Sequence, residues 1–467
     1  MTAWTMTLAA AARAMEARYV GPDRPFASVS TDTRTVASGD LFFAIRGERF
    51  DGADFVADAM ARGAVAAVVA ADAGPRLDRV PRDRLVIVDD ARLALGRLGA
   101  QWRSRFAHPL FALTGSNGKT TVKEMTAAIL GAAAGGPERV LATAGNLNND
   151  IGVPITLLRL APEHRYAVIE LGMNHAGEIR YLSNLARPDV VLVNNAGTAH
   201  LENLGSREAI AQAKGEIFEG MHANGTAVIN ADDRFATLWR GLVGSRRHVS
   251  FGVDHPADVR GRCTSRLAGS VLDLETPSGR GTVELSVPGE HNARNALAAA
   301  ASAIALGVGM DAIVGGLSGY RGMKGRLQPK SGERGAHLID DTYNANPDSV
   351  NAAIAVLAAA PGLRILVLGD MGELGTAAAE LHEEVGASAK AAGIDALYTL
   401  GEHSARAAQA FGVGARHCAS LDSIVTAITP RLGPRVTVLV KGSRFMQMER
   451  VVSALAATPA TVSGAGV

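Results

Sequence analysis

Thr114-Gly115-Ser116-Asn117-Gly118-Lys119-Thr120-Thr121 follows an apolar run, Leu110 to Leu113, and opens a helix-like stretch from Val122 to Leu130. A glycine-rich turn between a strand and a helix lets several backbone N–H groups converge on one anion, and the helix N-terminus adds partial positive charge there. Gly115, Ser116, Asn117, Gly118, Lys119, Thr120 and Thr121 are therefore candidates for cradling a nucleoside triphosphate. Lys119 would reach the β- and γ-phosphates, and the Thr120 hydroxyl would sit on Mg²⁺. The usual phosphate-loop pattern begins with glycine where this chain has Leu113, so only the core Gly-x-x-Gly-Lys-Thr is present. The bland alternative is an ordinary strand-to-helix turn with a solvated lysine.

Three further residues invite a metal reading. Mg²⁺ prefers carboxylate, hydroxyl and water oxygens, with phosphate completing its shell. Glu170 ends an apolar strand pattern, Tyr166 to Ile169, and is a metal candidate; otherwise it caps a helix or faces water. Lys214 falls on the apolar stripe Ile210, Ile217, Phe218 and Met221 of a helix expected from Ser206 to Met221, with Ser206 as N-cap. A buried ammonium is costly, so such a lysine is paired, deprotonated or modified, unless its stem snorkels to water. His200, in Thr198-Ala199-His200-Leu201-Glu202, is either a metal ligand or a solvated loop histidine.

The elements that must position these groups fall into zones. Up to about residue 87, short apolar runs (Leu41 to Ile45, Ala66 to Ala70, Leu85 to Val88) and one helix-like stretch, Asp54 to Arg62, suggest a small α/β domain. The next zone repeats one design: Leu110–Leu113, Tyr166–Ile169, Val190–Val193 and Thr226–Ile229 each run into polar residues, among them Asn194-Asn195 and Asn230-Ala231-Asp232-Asp233. Apolar strands separated by helices imply a mainly parallel sheet, with ligands beyond the strands' carboxyl ends. From about residue 328 the design recurs, in His337–Ile339, Arg364–Leu368, Ala396–Leu400 and Val436–Val440. A second doubly wound domain with its own polar edge is expected there.

Bulk properties exclude several classes. With 467 residues the chain needs more than one core, and 47% hydrophobic content is enough for buried sheets. A formal charge of +1 gives no strong field toward nucleic acid or membrane. Cys263 and Cys418 match no metal or redox spacing, as in a reducing cytosol. Met1 to Tyr19 is alanine-rich but lacks a basic leader and carries Arg13 and Glu16, so a helix is expected rather than a signal peptide. No run reaches the roughly 18 apolar residues of a membrane span. In a chain that favours arginine, Lys119, Lys214, Lys324, Lys330 and Lys441 stand out. After about Ala456 the tail is small and polar, and fraying is expected.

Taken together, the motifs resemble those of the ATP-dependent Mur ligases of peptidoglycan synthesis. Beside the phosphate loop, the strings are Gly145-Asn-Leu-Asn-Asn-Asp-Ile-Gly-Val-Pro154, Ile169-Glu-Leu-Gly-Met-Asn-His175, His200-Leu-Glu202, Ala213-Lys-Gly-Glu216, Gly289-Glu-His-Asn-Ala-Arg-Asn-Ala296, Gly325-Arg-Leu327 and Asp340-Asp-Thr-Tyr-Asn-Ala-Asn-Pro-Asp-Ser349. They span nearly the whole chain in family order. The resemblance implies an α/β protein of three domains. Residues 1–87 would bind a UDP-sugar, 88–327 would be a central P-loop ATPase with a mainly parallel sheet, and 328–467 a Rossmann-like doubly wound domain for the incoming amine.

The resemblance also implies roles for single residues. Thr120 and Glu170 match the positions holding one Mg²⁺; His200 and Lys214 match the ligands of a second, with the lysine carried as its carbamate. Lys119, Lys214 and His200 are thereby the catalytic candidates. Asn292, Asn295 and Arg326 match positions near the adenine and phosphates of ATP, Asp341 one near the ribose, and Asn149 one near the nucleotide-sugar. Ser28-Val-Ser-Thr-Asp-Thr-Arg34 and Gly47-Glu-Arg-Phe-Asp-Gly52 are similar to the UDP-sugar segment, making Ser30, Arg34 and Asp51 binding candidates unless each only shapes a turn. Asn344, Asn346 and Asp348 would contact the incoming dipeptide, the competing account being an Asn-Pro turn with a helix cap.

Members adding meso-diaminopimelate usually carry Asp-Asn-Pro-Arg, which is absent here. That favours the branch joining D-alanyl-D-alanine to UDP-MurNAc-tripeptide, through an acyl phosphate, in a cytoplasmic and monomeric enzyme. Another ligase of the same superfamily, such as a folylpolyglutamate or cyanophycin synthetase, and a regulatory P-loop switch that binds nucleotide without joining substrates are the rival readings.

Overall fold

The computed structural model describes residues 6–199, 201–266 and 269–457. His200 and the tail beyond residue 457 lie outside the described residues. The chain divides into two compact units, residues 1–113, 134–192 and 216–227 in one and 114–133, 193–215 and 228–467 in the other.

In the first unit, strands Val29–Ser30, Leu41–Phe43, Ala66–Ala70 and Leu85–Val88 form a parallel sheet in that order. Phe42, Val56, Ala59, Ala67 and Val69 fill its core. The expected helix over Asp54 to Arg62 is a 3₁₀ turn, Gly52–Phe55, followed by a short helix, Val56–Ala61. Asp51 starts it, accepting from Ala53 N. The N-terminal helix is Leu8–Met15, begun by a Thr7 N-cap. Strand Tyr166–Glu170 pairs in parallel with Leu110–Thr114 and with Val140–Ala142. Leu110 to Leu113 and Ala167 to Ile169 are buried on both faces, which explains why they read as unbroken apolar runs.

In the second unit, helix Lys119–Ala134 buries Val122, Met125 and Ile129. Helix Glu290–Ala305 is buried on all sides from Asn295 to Ala303, a stretch made mostly of alanine. Strands Arg247–Gly252, Val259–Arg266, Gly269–Thr276 and Gly279–Leu285 are an addition that the apolar-run pattern did not reveal. The last three pair antiparallel and keep only one buried face, so charged and apolar residues alternate along them.

The six-stranded sheet runs Gln328–Ser331, His337–Asp341, Val436–Lys441, Leu363–Gly369, Ala396–Leu400, Ala415–His417. Only its first pair is antiparallel. Apolar clusters cover both faces, with Leu439 in one and Val438 and Val440 in the other. This is the doubly wound pattern expected, with polar residues at the strands' carboxyl ends. Neither Cys263 nor Cys418 is in a disulfide. Among the described residues no helix is long and apolar enough to cross a membrane.

Candidate active site

The phosphate loop is held from behind by amides. Ser116 N donates to Asn195 O (3.0 Å) and Asn117 N to Asn195 Oδ1 (2.8 Å). Asn117 O accepts from Asn194 Nδ2 (2.9 Å) and Asn195 Nδ2 (3.0 Å). Asn194 Nδ2 also meets Asn295 Oδ1 at 3.2 Å, and Asn295 donates to Asn292 Oδ1 at 3.5 Å. Gly118 has φ +78°, and a Cβ there would stand 2.3 Å from Asn295 Oδ1. The left-handed turn therefore needs glycine both conformationally and sterically. It ends at helix Lys119–Ala134, whose first-turn N–H groups have no acceptor within the helix. Sequence reasoning singled out Asn194 and Asn195 only as strand-end polar residues; their support of the loop needed the fold.

Lys119 Nζ folds back on its own loop, donating to Gly115 O (2.6 Å) and Ser116 O (3.4 Å). Lys214, on helix Arg207–Gly215, is 1% exposed, so its amine does not snorkel to water. Burial pushes its pKa well below the ordinary lysine value, and the Lys119 ammonium adds to the effect. Ser206 Oγ accepts from Ala209 N at 3.1 Å, as a cap should. The expected single helix to Met221 is shorter: a 3₁₀ turn, Glu216–Phe218, follows Gly215. The place of His200 in the site is outside the described residues.

Three expected residues, Arg326, Asn346 and Asp348, reach this loop or its supports. Arg326 Nη2 donates to Thr120 Oγ1 (3.0 Å), and its guanidinium lies 4.2 Å from the Tyr343 ring centroid. Asn346 caps helix Pro347–Ala358 in a capping box with Ser349, and its Nδ2 donates to Asn117 Oδ1 (2.8 Å). Asp348 accepts from Thr198 N (2.9 Å) and Thr198 Oγ1 (3.1 Å). Asp341 pairs with Lys441 at 2.6 Å and accepts from Leu327 N at 3.1 Å. Asn344 bonds locally, its Oδ1 accepting from Ala345 N, while its carbonyl accepts from Lys441 Nζ at 2.9 Å. Asn292 donates to Pro288 O at 2.8 Å.

The first unit carries the remaining candidates. Glu170 is 2% exposed; its Oε1 accepts from Asn148 Nδ2 at 2.9 Å, while its Oε2 is buried without a partner among the described residues. Asn149 caps the next turn, accepting from Gly152 N at 2.8 Å. Ser30 donates to Asp32 O at 3.0 Å, and Arg34 pairs with Asp32 in the same exposed turn. Asp51 joins Arg46 (2.7 Å) and Arg76 (2.8 Å), and these contacts with its helix-cap bond hold its carboxyl near 2 against the effect of burial. Asp51 also lines a pocket of about 260 Å³ with Arg46, Asp72, Asp89, Asp90 and Arg92. Sequence reasoning named only Asp51 of these charged groups. Paired aspartates and arginines beside strand ends were the available signal.

Residues 25–103 match the Mur ligase family, catalytic domain; residues 113–303 match the Mur ligase middle domain; residues 325–444 match the Mur ligase, glutamate ligase domain. The chain is 45% identical over 456 residues to the UDP-N-acetylmuramoyl-tripeptide--D-alanyl-D-alanine ligase of Escherichia coli (strain K12), covering 97% of this chain and 98% of that one. The chain belongs to the Mur ligase family. Crystal structure I of MurF from Acinetobacter baumannii matches it with TM-score 0.87 at 37% identity, covering 95% of this chain and 97% of that chain. MurF ligase from Thermotoga maritima in complex with ADP matches with TM-score 0.80 at 28% identity over 91% and 96%.

A Mur ligase uses ATP, and the residues suit both it and Mg²⁺. The glycine cradle and helix start suit phosphate oxygens. Glu170 Oε2 is a buried carboxylate oxygen with no donor among the described residues, the kind of hard ligand that Mg²⁺ takes. Among the described residues no group of three or more His, Cys, Asp and Glu side chains forms a metal cluster. Substrate phosphates and water would therefore complete the shell.

Proposed function

We propose that this Mur ligase is the ATP-dependent enzyme that joins D-alanyl-D-alanine to UDP-N-acetylmuramoyl-tripeptide. Its products are UDP-MurNAc-pentapeptide, ADP and phosphate, in the cytoplasmic stage of peptidoglycan precursor synthesis. What carries the reading is that likeness to D-alanyl-D-alanine-adding relatives runs the length of the chain, through a phosphate loop whose geometry is intact.

A carboxylate is a poor electrophile, so the tripeptide carboxylate oxygen first attacks the γ-phosphorus and the bond to ADP breaks. Lys119 leaves its loop carbonyls to neutralise charge on the transferring phosphoryl group, and the loop N–H groups hold the phosphates in line. When bound, Mg²⁺ supplies further charge neutralisation at the phosphate oxygens, with Thr120 and Glu170 as its protein ligands. The dipeptide amine then attacks the acyl-phosphate carbonyl, loses a proton, and phosphate leaves through a tetrahedral intermediate. Water would destroy the acyl phosphate, so the site must exclude it.

Lys214 acts in this reading as its carbamate. A neutral amine adds to CO₂, releasing one proton and leaving an anion, which with His200 would hold a metal ion. Three facts support it: the side chain is buried, its amine is pushed toward neutrality, and no carboxylate among the described residues forms an ion pair with it. Asn292, Asn295, Arg326 and Asp341 face the nucleotide; Ser30, Arg34, Asp51 and Asn149 serve the UDP-sugar; Asn344, with Asn346 and Asp348 near it, serves the dipeptide. Residues 1–87, 88–327 and 328–467 are the corresponding domains, and the enzyme works as a monomer.

The test is ADP release from the purified protein with UDP-MurNAc-tripeptide and one acceptor at a time. Strict dependence on D-alanyl-D-alanine is expected; equal stimulation by glutamate would refute the assignment.

A further inference from the structure

Asp348 was expected to face the dipeptide, yet its carboxylate is engaged elsewhere. Asp348 Oδ2 accepts from Thr198 N at 2.9 Å and Thr198 Oγ1 at 3.1 Å, and Oδ1 lies 3.5 Å from Arg207 Nη2. Thr198 ends the segment Asn195-Ala196-Gly197-Thr198, which is the support of the phosphate loop. In that segment Asn195 accepts Ser116 N and Asn117 N, and Gly197 N donates to Ser116 Oγ at 2.9 Å. The neighbouring cap residue makes a parallel contact, Asn346 Nδ2 to Asn117 Oδ1 at 2.8 Å.

Gly197 shows how closely the parts fit. A Cβ added there would stand 2.2 Å from Asp348 Oδ2, and its next contact outside Asp348 would be Asn117 Nδ2 at 3.5 Å. A side chain at 197 would therefore have to displace the Asp348 carboxylate from this place. A carboxylate in the first turn of a helix has an ordinary account, since it offsets the helix dipole. That account needs neither the two bonds to Thr198 nor the bare position at 197.

We propose that Asp348 is a positioning residue for the nucleotide. It fixes the Asn195–Thr198 segment, which in turn sets the Ser116 and Asn117 backbone, so that the start of helix Pro347–Ala358 and the phosphate loop order together. This rests on the ligase reading for its role in catalysis, but nucleotide affinity alone tests it.

The experiment measures binding of a fluorescent ADP analogue with Mg²⁺ and without dipeptide, for Asp348→Ala, Gly197→Ala and the double variant. Each single change is expected to weaken ADP binding by about ten-fold or more, the scale of a lost hydrogen bond to a charged group. The double variant should bind no more weakly than Asp348→Ala, because the added methyl then meets no carboxylate. Unchanged affinity in the single variants overturns the proposal, as does a double variant whose losses multiply. So does a loss confined to KM for D-alanyl-D-alanine, the mark of a direct dipeptide contact.

Hydrogen exchange in the unmodified chain gives a readout independent of any variant. Exchange in the peptide covering residues 344–350 should slow when ADP is added, and unchanged exchange there overturns the relay. A wild-type enzyme that took glutamate instead of the dipeptide would defeat the ligase assignment while leaving these binding results standing.

Discussion

Lys441→Met isolates a buried charge at the end of the six-stranded sheet. Lys441 and Asp341 are register partners on adjacent parallel strands, with Nζ and Oδ2 2.6 Å apart. Their side chains are only 3% and 12% exposed. At an effective dielectric of about 20 the attraction is roughly 6 kcal/mol, most of it offsetting desolvation of the two ions. Removing the lysine alone strands the carboxylate, at about 3–5 kcal/mol, and also releases the Asn344 carbonyl. We expect a loss of about 4 kcal/mol, lowering the midpoint for unfolding of this sheet by roughly 8–16 °C. Circular dichroism melts and urea titrations measure it. Lys441→Met with Asp341→Leu should recover at least half the loss, since no unpaired charge remains. A single-variant loss below about 1 kcal/mol, or a double variant less stable than the single, would refute the reasoning.

Four other changes have defined outcomes. Burial drives the His291 pKa down to about 4, outweighing the upward pull of Asp341, with Lys441 adding to the decrease. The unfolded chain therefore takes up more protons between pH 6.5 and 4, and stability falls as pH drops through that window. The loss should reach about 2 kcal/mol for this half-buried ring, and His291→Asn should flatten the pH dependence in urea melts at pH 7 and 4.5. Glu170→Gln should leave stability unchanged or slightly raised, because a buried negative charge with one oxygen lacking a donor among the described residues disappears, while the Mg²⁺ concentration for half-maximal activity rises at least about ten-fold; an unaltered Mg²⁺ requirement contradicts the ligand role. Gly118→Ala, in left-handed backbone against Asn295, should cost about 1–3 kcal/mol and abolish measurable ADP binding in a calorimetric titration; normal binding would mean the loop tolerates a side chain. Lys214→Ala should nearly abolish ADP release, with partial rescue by acetate or formate, and an intact rate excludes the metal-ligand role.

Legibility from sequence tracked the physics of each element. Strands buried on both faces, such as Val190–Val193 and Ala396–Leu400, announce themselves as apolar runs and fall where expected. The antiparallel strands from Val259 to Leu285 alternate polar and buried residues over glycine-broken stretches, so an apolar-run search passes over them. Lys214 was legible because helical spacing placed it on a core-facing stripe. Arg46 and Arg92 were not, because their meaning lies in a pocket assembled from several strand ends. Asp348 and Thr198 lie 150 residues apart, and no local rule joins them.

The wall behind the phosphate loop is made of Asn194, Asn195, Asn292 and Asn295. Amides neither gain nor lose protons across the range in which proteins survive, and their small dipoles are little felt by dissolved salt. The amide wall itself therefore keeps one contour in weak acid and weak alkali alike. Whatever acidity or ionic strength does to turnover must act through ionisable groups outside this wall, Lys119 and Asp348 among them, and a single deamidation in the wall would set an anion against the triphosphate.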